Sequence, residues 1–259
     1  MSAPGSGGFD GNRQERLLPA AVLFDLDGTL VDSEPLWFEA ETMLVGEYGQ
    51  DWGPAQARHL VGWSLWDSAT YLREQIGVDL PNAAIIDRMQ SHVVAGVAKA
   101  PPWRPGAKAL LAEVRAAGVP TALVTMSYRQ MTDTIVRALP VGSFDTVVSG
   151  EQVSRGKPYP DPYLLAADRL GVCATDCVAI EDSVTGATSA RDAGCAVVVV
   201  PAAASVEGLT GVILRESLLG ISLAGLAELV QEHRAGLAEL RSVQSGSGAG
   251  SSSGIAATG

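Results

Sequence analysis

The sequence predicts an α/β fold: a doubly wound, Rossmann-like parallel sheet with a small helical cap domain inserted after the first strand. Three observations carry that expectation. Short, continuous apolar runs rich in β-branched residues recur along the chain. Longer amphipathic segments with helix-ending signals separate them. The alternation breaks once, over residues 36–104, where no strand-like run occurs.

The runs are AAVLF at 20–24, TALVT at 121–125, DTVVS at 145–149, CVAIE at 177–181 and AVVVV at 196–200, with a weaker GVIL at 211–214. Unbroken apolar runs suit strands covered on both faces, as in a parallel sheet flanked by helices. Between them, LLAEVRAAG closes on Gly118 ahead of Pro120, and DPYLLAADRLG carries Pro162 near its start and Gly171 at its end. Proline opening and glycine closing are the chemistry of helix termini. A repeating strand–helix order implies a doubly wound sheet.

The interruption contains LWFEAETMLVGEYG, LWDSATYLREQIG and AAIIDRMQSHVVAGVAKA, all of helical pattern. Residues 36–104 are therefore expected to form the cap over the carboxyl edge of the sheet. Pro35 and PPWRPG at 101–106 would serve as hinges. Residues 18–35 and 105–241 form the core domain. Residues 1–17 and 242–259 have the Gly- and Ser-rich composition of linkers and are expected to be disordered tails.

Of 259 residues, 47% are hydrophobic and 18% charged, enough for a buried core. The net charge of −11 comes from 29 acidic and 18 basic side chains. Partners that need clustered Lys and Arg, nucleic acids and anionic membranes, are thereby disfavoured. No apolar run approaches the roughly 20 residues of a membrane span, and the first residues lack the apolar stretch of a secretory signal. Cys173, Cys177 and Cys195 read as free thiols in a reducing compartment, since no second ligand pair follows Cys173 and Cys177 to make a zinc site. A cytoplasmic protein, monomer or weak dimer, is expected.

Ligands of open α/β sheets sit beyond the carboxyl ends of the strands. After the first run come Asp25, Asp27 and Gly28. Thr125 and Ser127 follow the second, Gly156 and Lys157 the third, Glu181 and Asp182 the fourth. Four strand ends thus deliver four acids, two hydroxyls and an ammonium group to one edge. Any one of them alone is an ordinary polar loop residue; together, in register with the strand ends, they indicate a site. Packed carboxylates repel unless a cation intervenes, and hard oxygen ligands of this kind suit Mg²⁺. With the charge so offset, Asp25 can approach a phosphorus atom, while Lys157 and Thr125 serve the phosphoryl oxygens.

With these motifs in hand, the chain resembles the haloacid dehalogenase-like hydrolases, in the subgroup with a helical cap after the first strand. FDLDGTLVDSEPLW at 24–37, LVTMS at 123–127, GKPYPDPY at 156–163 and EDSVTGATSARDAG at 181–194 match in order. The resemblance implies that Asp25 is the nucleophile, forming an aspartyl-phosphate. Asp27 would protonate the leaving alcohol and then deprotonate water. Mg²⁺ would be held by Asp25, the Asp27 backbone carbonyl and Asp182, with Glu181 close by.

Sugar-phosphate phosphatases and β-phosphoglucomutases are the look-alikes within that family. Both share the step Asp32-Ser33-Glu34 and a Gly-x-Ser cap loop, here Gly62-Trp63-Ser64. Mutases resembling this loop continue with Arg, whereas Leu65 and Trp66 follow here, which favours hydrolysis of a sugar or polyol phosphate over phosphoryl shuffling. The resemblance also leaves a non-catalytic binding protein as an alternative, one that the intact Asp25, Asp27, Lys157 and Asp182 set argues against. Glu34, Gly62 and Ser64 join Thr125, Met126, Ser127 and Lys157 as candidate substrate contacts. Met126 either lines the pocket or packs beneath it. Trp63 and Trp66 either stack on a sugar ring or fill the cap interior, and Arg129 either reaches a second anionic group on the substrate or lies on a solvated helix face.

Overall fold

The computed structural model describes residues 18–60, 63–202 and 206–247. Its strands β1 (Ala21–Phe24), β2 (Thr121–Val124), β3 (Thr146–Val148), β4 (Cys177–Glu181), β5 (Ala196–Val199) and β6 (Ile213–Leu214) form one sheet. The order is β3-β2-β1-β4-β5-β6, and every neighbouring pair is parallel. Each apolar run of the sequence yields a strand, CVAIE in full as β4 and the others trimmed by a residue or two.

The runs are unbroken because both faces are covered. Residues of β1, β2, β4 and β5 are all buried. Alternate side chains enter opposite layers, as the two-residue period of a strand requires. Val22, Phe24, Val178, Ile180 and Val198 pack with Leu110, Val114, Leu226 and Val230. Those partners come from α5 (Ala107–Ala116) and α9 (Leu223–Ser247). Ala21, Leu23, Ala179, Val197 and Val199 face the other way, toward Tyr163, Ala166, Ala187 and Ala190. These lie on α7 (Asp161–Leu170) and α8 (Val184–Asp192). Between β2 and β3 runs α6 (Arg129–Arg137).

From β1 the chain winds outward through β2 and β3, then crosses back to β4 and winds the other way. The reversal falls between β1 and β4, where the Asp25 amide bonds the Ile180 carbonyl at 3.0 Å. A crevice at such a reversal is where open α/β sheets take their ligands.

Between β1 and α5 the described residues are helical: α1 (Glu34–Glu47), α2 (Pro54–Leu60), α3 (Leu65–Tyr71), a π-helical turn (Leu72–Ile76) and α4 (Asn82–Lys99). Gly77 ends the π turn with φ 90°. The sequence pattern missed α2, a seven-residue helix with Leu60 as its one buried residue, too little for a periodic signal. α4 packs on α1, α3 and the core helix α6. The two crossings into this insertion are paired with each other. The Asp32 amide donates to Pro102 at 2.8 Å, the Arg104 amide donates to Leu30 at 2.9 Å, and Val31 and Trp103 form an antiparallel bridge.

At the far end, α9 runs to Ser247, beyond Ser242 where the linker composition begins. The helix is nucleated by Leu226 and Val230, buried against the sheet. Each further residue adds one bond to an existing helix, so weak helix formers can extend it. Residues 1–17 and 248–259 of the two expected tails lie outside the described residues, as does Gly62.

One buried acid in the insertion makes stability depend on pH. Glu41 is buried and accepts the Trp52 indole N–H at 2.9 Å. Burial pushes its carboxyl from 4.5 up to about 7, the Trp52 bond opposes this, and Glu34 adds to it. The folded chain thus keeps a proton that the unfolded chain releases. The stabilisation is complete below about pH 4.5 and is lost as pH rises through 7. Glu41→Gln is expected to melt higher than the parent at pH 8, by on the order of 1–3 kcal/mol, with the gap closing at pH 5. Thermal melts at the two pH values would show it; parallel pH profiles would refute it.

Candidate active site

Asp25, 5% exposed, directly follows β1, and β4 ends in Glu181, fully buried. Lys157 arrives from the loop between β3 and α7 and places its ammonium group between them. Its Nζ donates to Asp25 Oδ1 at 2.6 Å, to Glu181 Oε1 at 2.6 Å and to the Val124 carbonyl at 3.0 Å. Three donors meet three acceptors, which is the full capacity of an ammonium group. The carboxylates raise the affinity of Lys157 for its proton against the opposing effect of burial.

Met126 secures the loop that carries Lys157. Its sulfur accepts the Lys157 backbone N–H at 3.2 Å, and a Cβ at position 156 would stand 2.5 Å from that sulfur. Of the two roles considered for Met126, packing is the one its contacts describe.

Asp27 points into a cradle of hydroxyls. Its Oδ1 accepts from Ser33 at 2.6 Å, and its Oδ2 accepts from Ser127 at 2.6 Å and Thr125 at 3.3 Å. The Thr125 oxygen in turn accepts the Ser127 amide at 2.9 Å. Both hydroxyls expected at the phosphate therefore lie on Asp27 here. Ser33 had no role from the sequence beyond its place in the Asp32-Ser33-Glu34 step. Glu34 is half-buried nearby, its carboxyl raised mainly by burial and further by Asp27 and Asp32.

Carboxylate oxygens of Asp25, Glu181 and Asp182 lie within 4.8 Å of one another, and this is the one grouping of potential metal ligands among the described residues. The Asp27 carboxylate is not part of it. Burial, reinforced by neighbouring carboxylates, lifts Asp25 to about 7 despite Lys157, and lifts Asp182 to about 9. Asp25 Oδ2 is buried with no hydrogen-bond partner. A divalent cation fits these observations: an orphaned anionic oxygen, an all-oxygen donor set, and crowded carboxylates whose mutual repulsion it would relieve. Gly28 makes room for the set. Its φ is 82°, and a Cβ there would overlap Asp182 Oδ2.

Over this floor opens a cleft of about 630 Å³, lined by Lys157, Pro158 and Thr185 below and by Trp63, Ser64 and Tyr71 of the insertion above. Ser64 is the N-cap of α3: its oxygen accepts the Asp67 amide at 3.1 Å and its hydroxyl donates to Asp67 Oδ2 at 2.7 Å. Trp63 is 43% exposed, its ring tilted at 57° against His59 at 4.9 Å and edge-on to Tyr71 at 5.9 Å, while Trp66 is 57% exposed. Neither indole fills the interior of the insertion, whose core is Leu44, Val45, Leu72, Ile85, Met89 and Val93. Arg129, 74% exposed, approaches Asp133 at 3.9 Å on the solvent face of α6.

Comparison with known proteins points to one family. The family model Haloacid dehalogenase-like hydrolase matches residues 22–200. Hexitol phosphatase B of Escherichia coli (strain K12) is 32% identical over 193 residues, spanning 70% of this chain and 83% of that protein. A phosphorylated carbohydrates phosphatase of Thermotoga maritima is 31% identical over 175 residues, spanning 67% and 81%. A crystal structure of a CbbY mutant from Rhodobacter sphaeroides in complex with xylulose-(1,5)bisphosphate superposes with TM-score 0.74. It is 32% identical, covering 81% of this chain and 99% of that one.

The chain belongs to the haloacid dehalogenase-like hydrolases. Within them it is a phosphoric monoester hydrolase, the class of its named phosphatase relatives. No helix among the described residues is long and apolar enough to cross a membrane.

Proposed function

We propose that this enzyme hydrolyses a small phosphate monoester, a sugar or polyol phosphate, with Mg²⁺ and through an aspartyl-phosphate on Asp25. The observation that carries the reading is the buried Asp25 carboxylate, with one oxygen on Lys157 and the other without a partner, set at the sheet's reversal point below a cleft.

Lys157 fixes the rotamer of Asp25 and offsets its charge, so that a dianionic ester is met by an oriented nucleophile. An Asp25 oxygen forms a bond to phosphorus as the ester oxygen departs. Asp27 donates a proton to that oxygen, releasing the alcohol. Water then attacks the phosphorus, Asp27 takes its proton, and the bond from Asp25 to phosphorus breaks to release inorganic phosphate. Asp27 thus acts at both steps, and the hydroxyls of Ser33, Ser127 and Thr125 hold its side chain ready. Thr125 and Ser127 lie close enough to the acid to turn their hydroxyls toward phosphoryl oxygens. Asp25, Asp182, Glu181 and the Asp27 carbonyl would hold Mg²⁺, which supplies positive charge against the carboxylates and the phosphoryl group.

The helical insertion acts as a cap on residues 36–104, with Trp63 offering an aromatic face to a sugar or polyol. Hexitol and carbohydrate phosphatases among the relatives support this substrate class. A mutase needs a cation on the cap for the second phosphate, and among the described residues the insertion contributes no Lys or Arg to the cleft lining. The free thiols support a reducing, cytoplasmic setting, and a monomer or weak dimer suffices for a site built from one chain.

Incubation with a panel of sugar and polyol phosphates, with inorganic phosphate as readout, tests the reading. Release is expected with Mg²⁺ and should fall to background with excess chelator. Chelator-resistant turnover would reject it, and isomerisation of glucose 1-phosphate without release would make the enzyme a mutase.

A further inference from the structure

Tyr163 is the largest completely buried side chain among the described residues. Its hydroxyl donates to Glu181 Oε1 at 2.6 Å, the same oxygen that receives Lys157 Nζ at 2.6 Å. Its ring lies beneath the same ammonium, 5.2 Å from Nζ. A buried phenol needs some acceptor, and a backbone carbonyl would have served for packing alone. This one is spent on the carboxylate that competes with Asp25 for Lys157.

We propose that Tyr163 is a positioning residue for phosphoryl transfer: by sharing Glu181 Oε1 with Lys157, its hydroxyl sets how tightly the ammonium holds Asp25. The inference rests on the phosphohydrolase reading above. Glu181 Oε2 has longer bonds, to the Asp182 amide at 3.2 Å and the Ser183 hydroxyl at 3.3 Å. The phenol is therefore the short neutral contact that satisfies Oε1 in part and limits its pull on Lys157. Without it, Oε1 has Lys157 alone. The ammonium shifts toward Glu181, slackens from Asp25 Oδ1, and leaves the nucleophile less well aimed. The aromatic ring, which the packing needs, is unaffected by loss of the oxygen.

Tyr163→Phe, assayed on p-nitrophenyl phosphate with saturating Mg²⁺, isolates the hydroxyl. The expected result is a kcat about tenfold lower with KM within about twofold, measured well below the melting temperature so that the folded fraction is complete. A residue needed for packing alone would lower the melting temperature and leave kcat per folded enzyme unchanged. A kcat within about twofold of the parent would overturn the proposal. Should the phenylalanine variant fail to fold, 4-fluorophenylalanine at 163 keeps the para-position volume without a donor, and the same two outcomes apply. Asp25→Asn runs in parallel: turnover that survives it removes the mechanism itself, whereas loss in Asp25→Asn beside normal kcat in Tyr163→Phe removes only the role of Tyr163.

Discussion

Asp25→Asn is expected to lower turnover by at least about 10³-fold while leaving the fold intact. The amide keeps the volume of the carboxylate, and its oxygen can still accept the Lys157 ammonium that now lies 2.6 Å from Oδ1. What changes is the atom at Oδ2, the buried position without a partner. An amide nitrogen there has its lone pair delocalised into the carbonyl and cannot add to phosphorus, and the neutral group binds a cation poorly. The substitution also removes one of three crowded carboxylates, so the melting temperature should hold or rise. Phosphate release and a thermal melt on the same preparation decide the matter. A variant that folds and still turns over within tenfold of the parent would exclude Asp25 as the nucleophile.

Gly186→Ala is expected to damage both folding and turnover. The backbone at 186 lies outside the left-handed region and tolerates any residue, so conformational freedom is not what glycine provides there. Space is what matters. A Cβ at 186 would overlap both carboxylate oxygens of Glu181, which is tucked fully buried under the first turn of α8. Glu181 cannot step aside, because Lys157, Tyr163, Ser183 and the Asp182 amide all hold it. Overpacking at such a place costs about 1–3 kcal/mol. Displacing Lys157 by an ångström should cost turnover on the order of 10²-fold. Gly46→Ala is the matched control, since nothing lies within 4 Å of a Cβ on that glycine of α1; it should be neutral or slightly stabilising. Equal behaviour of the two variants would discredit the steric account.

The strands were legible because burial on both faces leaves an unbroken local signature. Asp25, Thr125 and Glu181 were legible as strand-end residues for the same reason. Partnership was not. Lys157 and Asp25 are 132 positions apart in the chain, Ser127 and Asp27 are 100 apart, and no periodicity encodes which hydroxyl faces which carboxylate. Tyr163 and Gly186 both lie inside family-like motifs, yet nothing local distinguishes a phenol that grips a carboxylate from one that fills a core. Met126 illustrates the same limit from the other side: chain position set it next to Thr125, and packing turned its sulfur toward the Lys157 loop. The extent of α9 beyond Ser242 reflects cooperativity, which composition alone understates.

The paired crossings at 30–32 and 102–104 have a mechanical consequence. Two separate tethers would let the helical insertion twist and slide over the sheet edge in many directions. Here they are zipped into one ribbon by the amides of Asp32 and Arg104, and the Arg104 side chain pins that ribbon to the Pro201 carbonyl at 3.2 Å. Like a door whose hinges share one pin, the insertion can swing only about that ribbon, and any swing must part α4 from α6. Closure over a bound ester about such a pivot would freeze few torsions and carry a small entropic toll, with Trp63 carried on the moving side of the cleft.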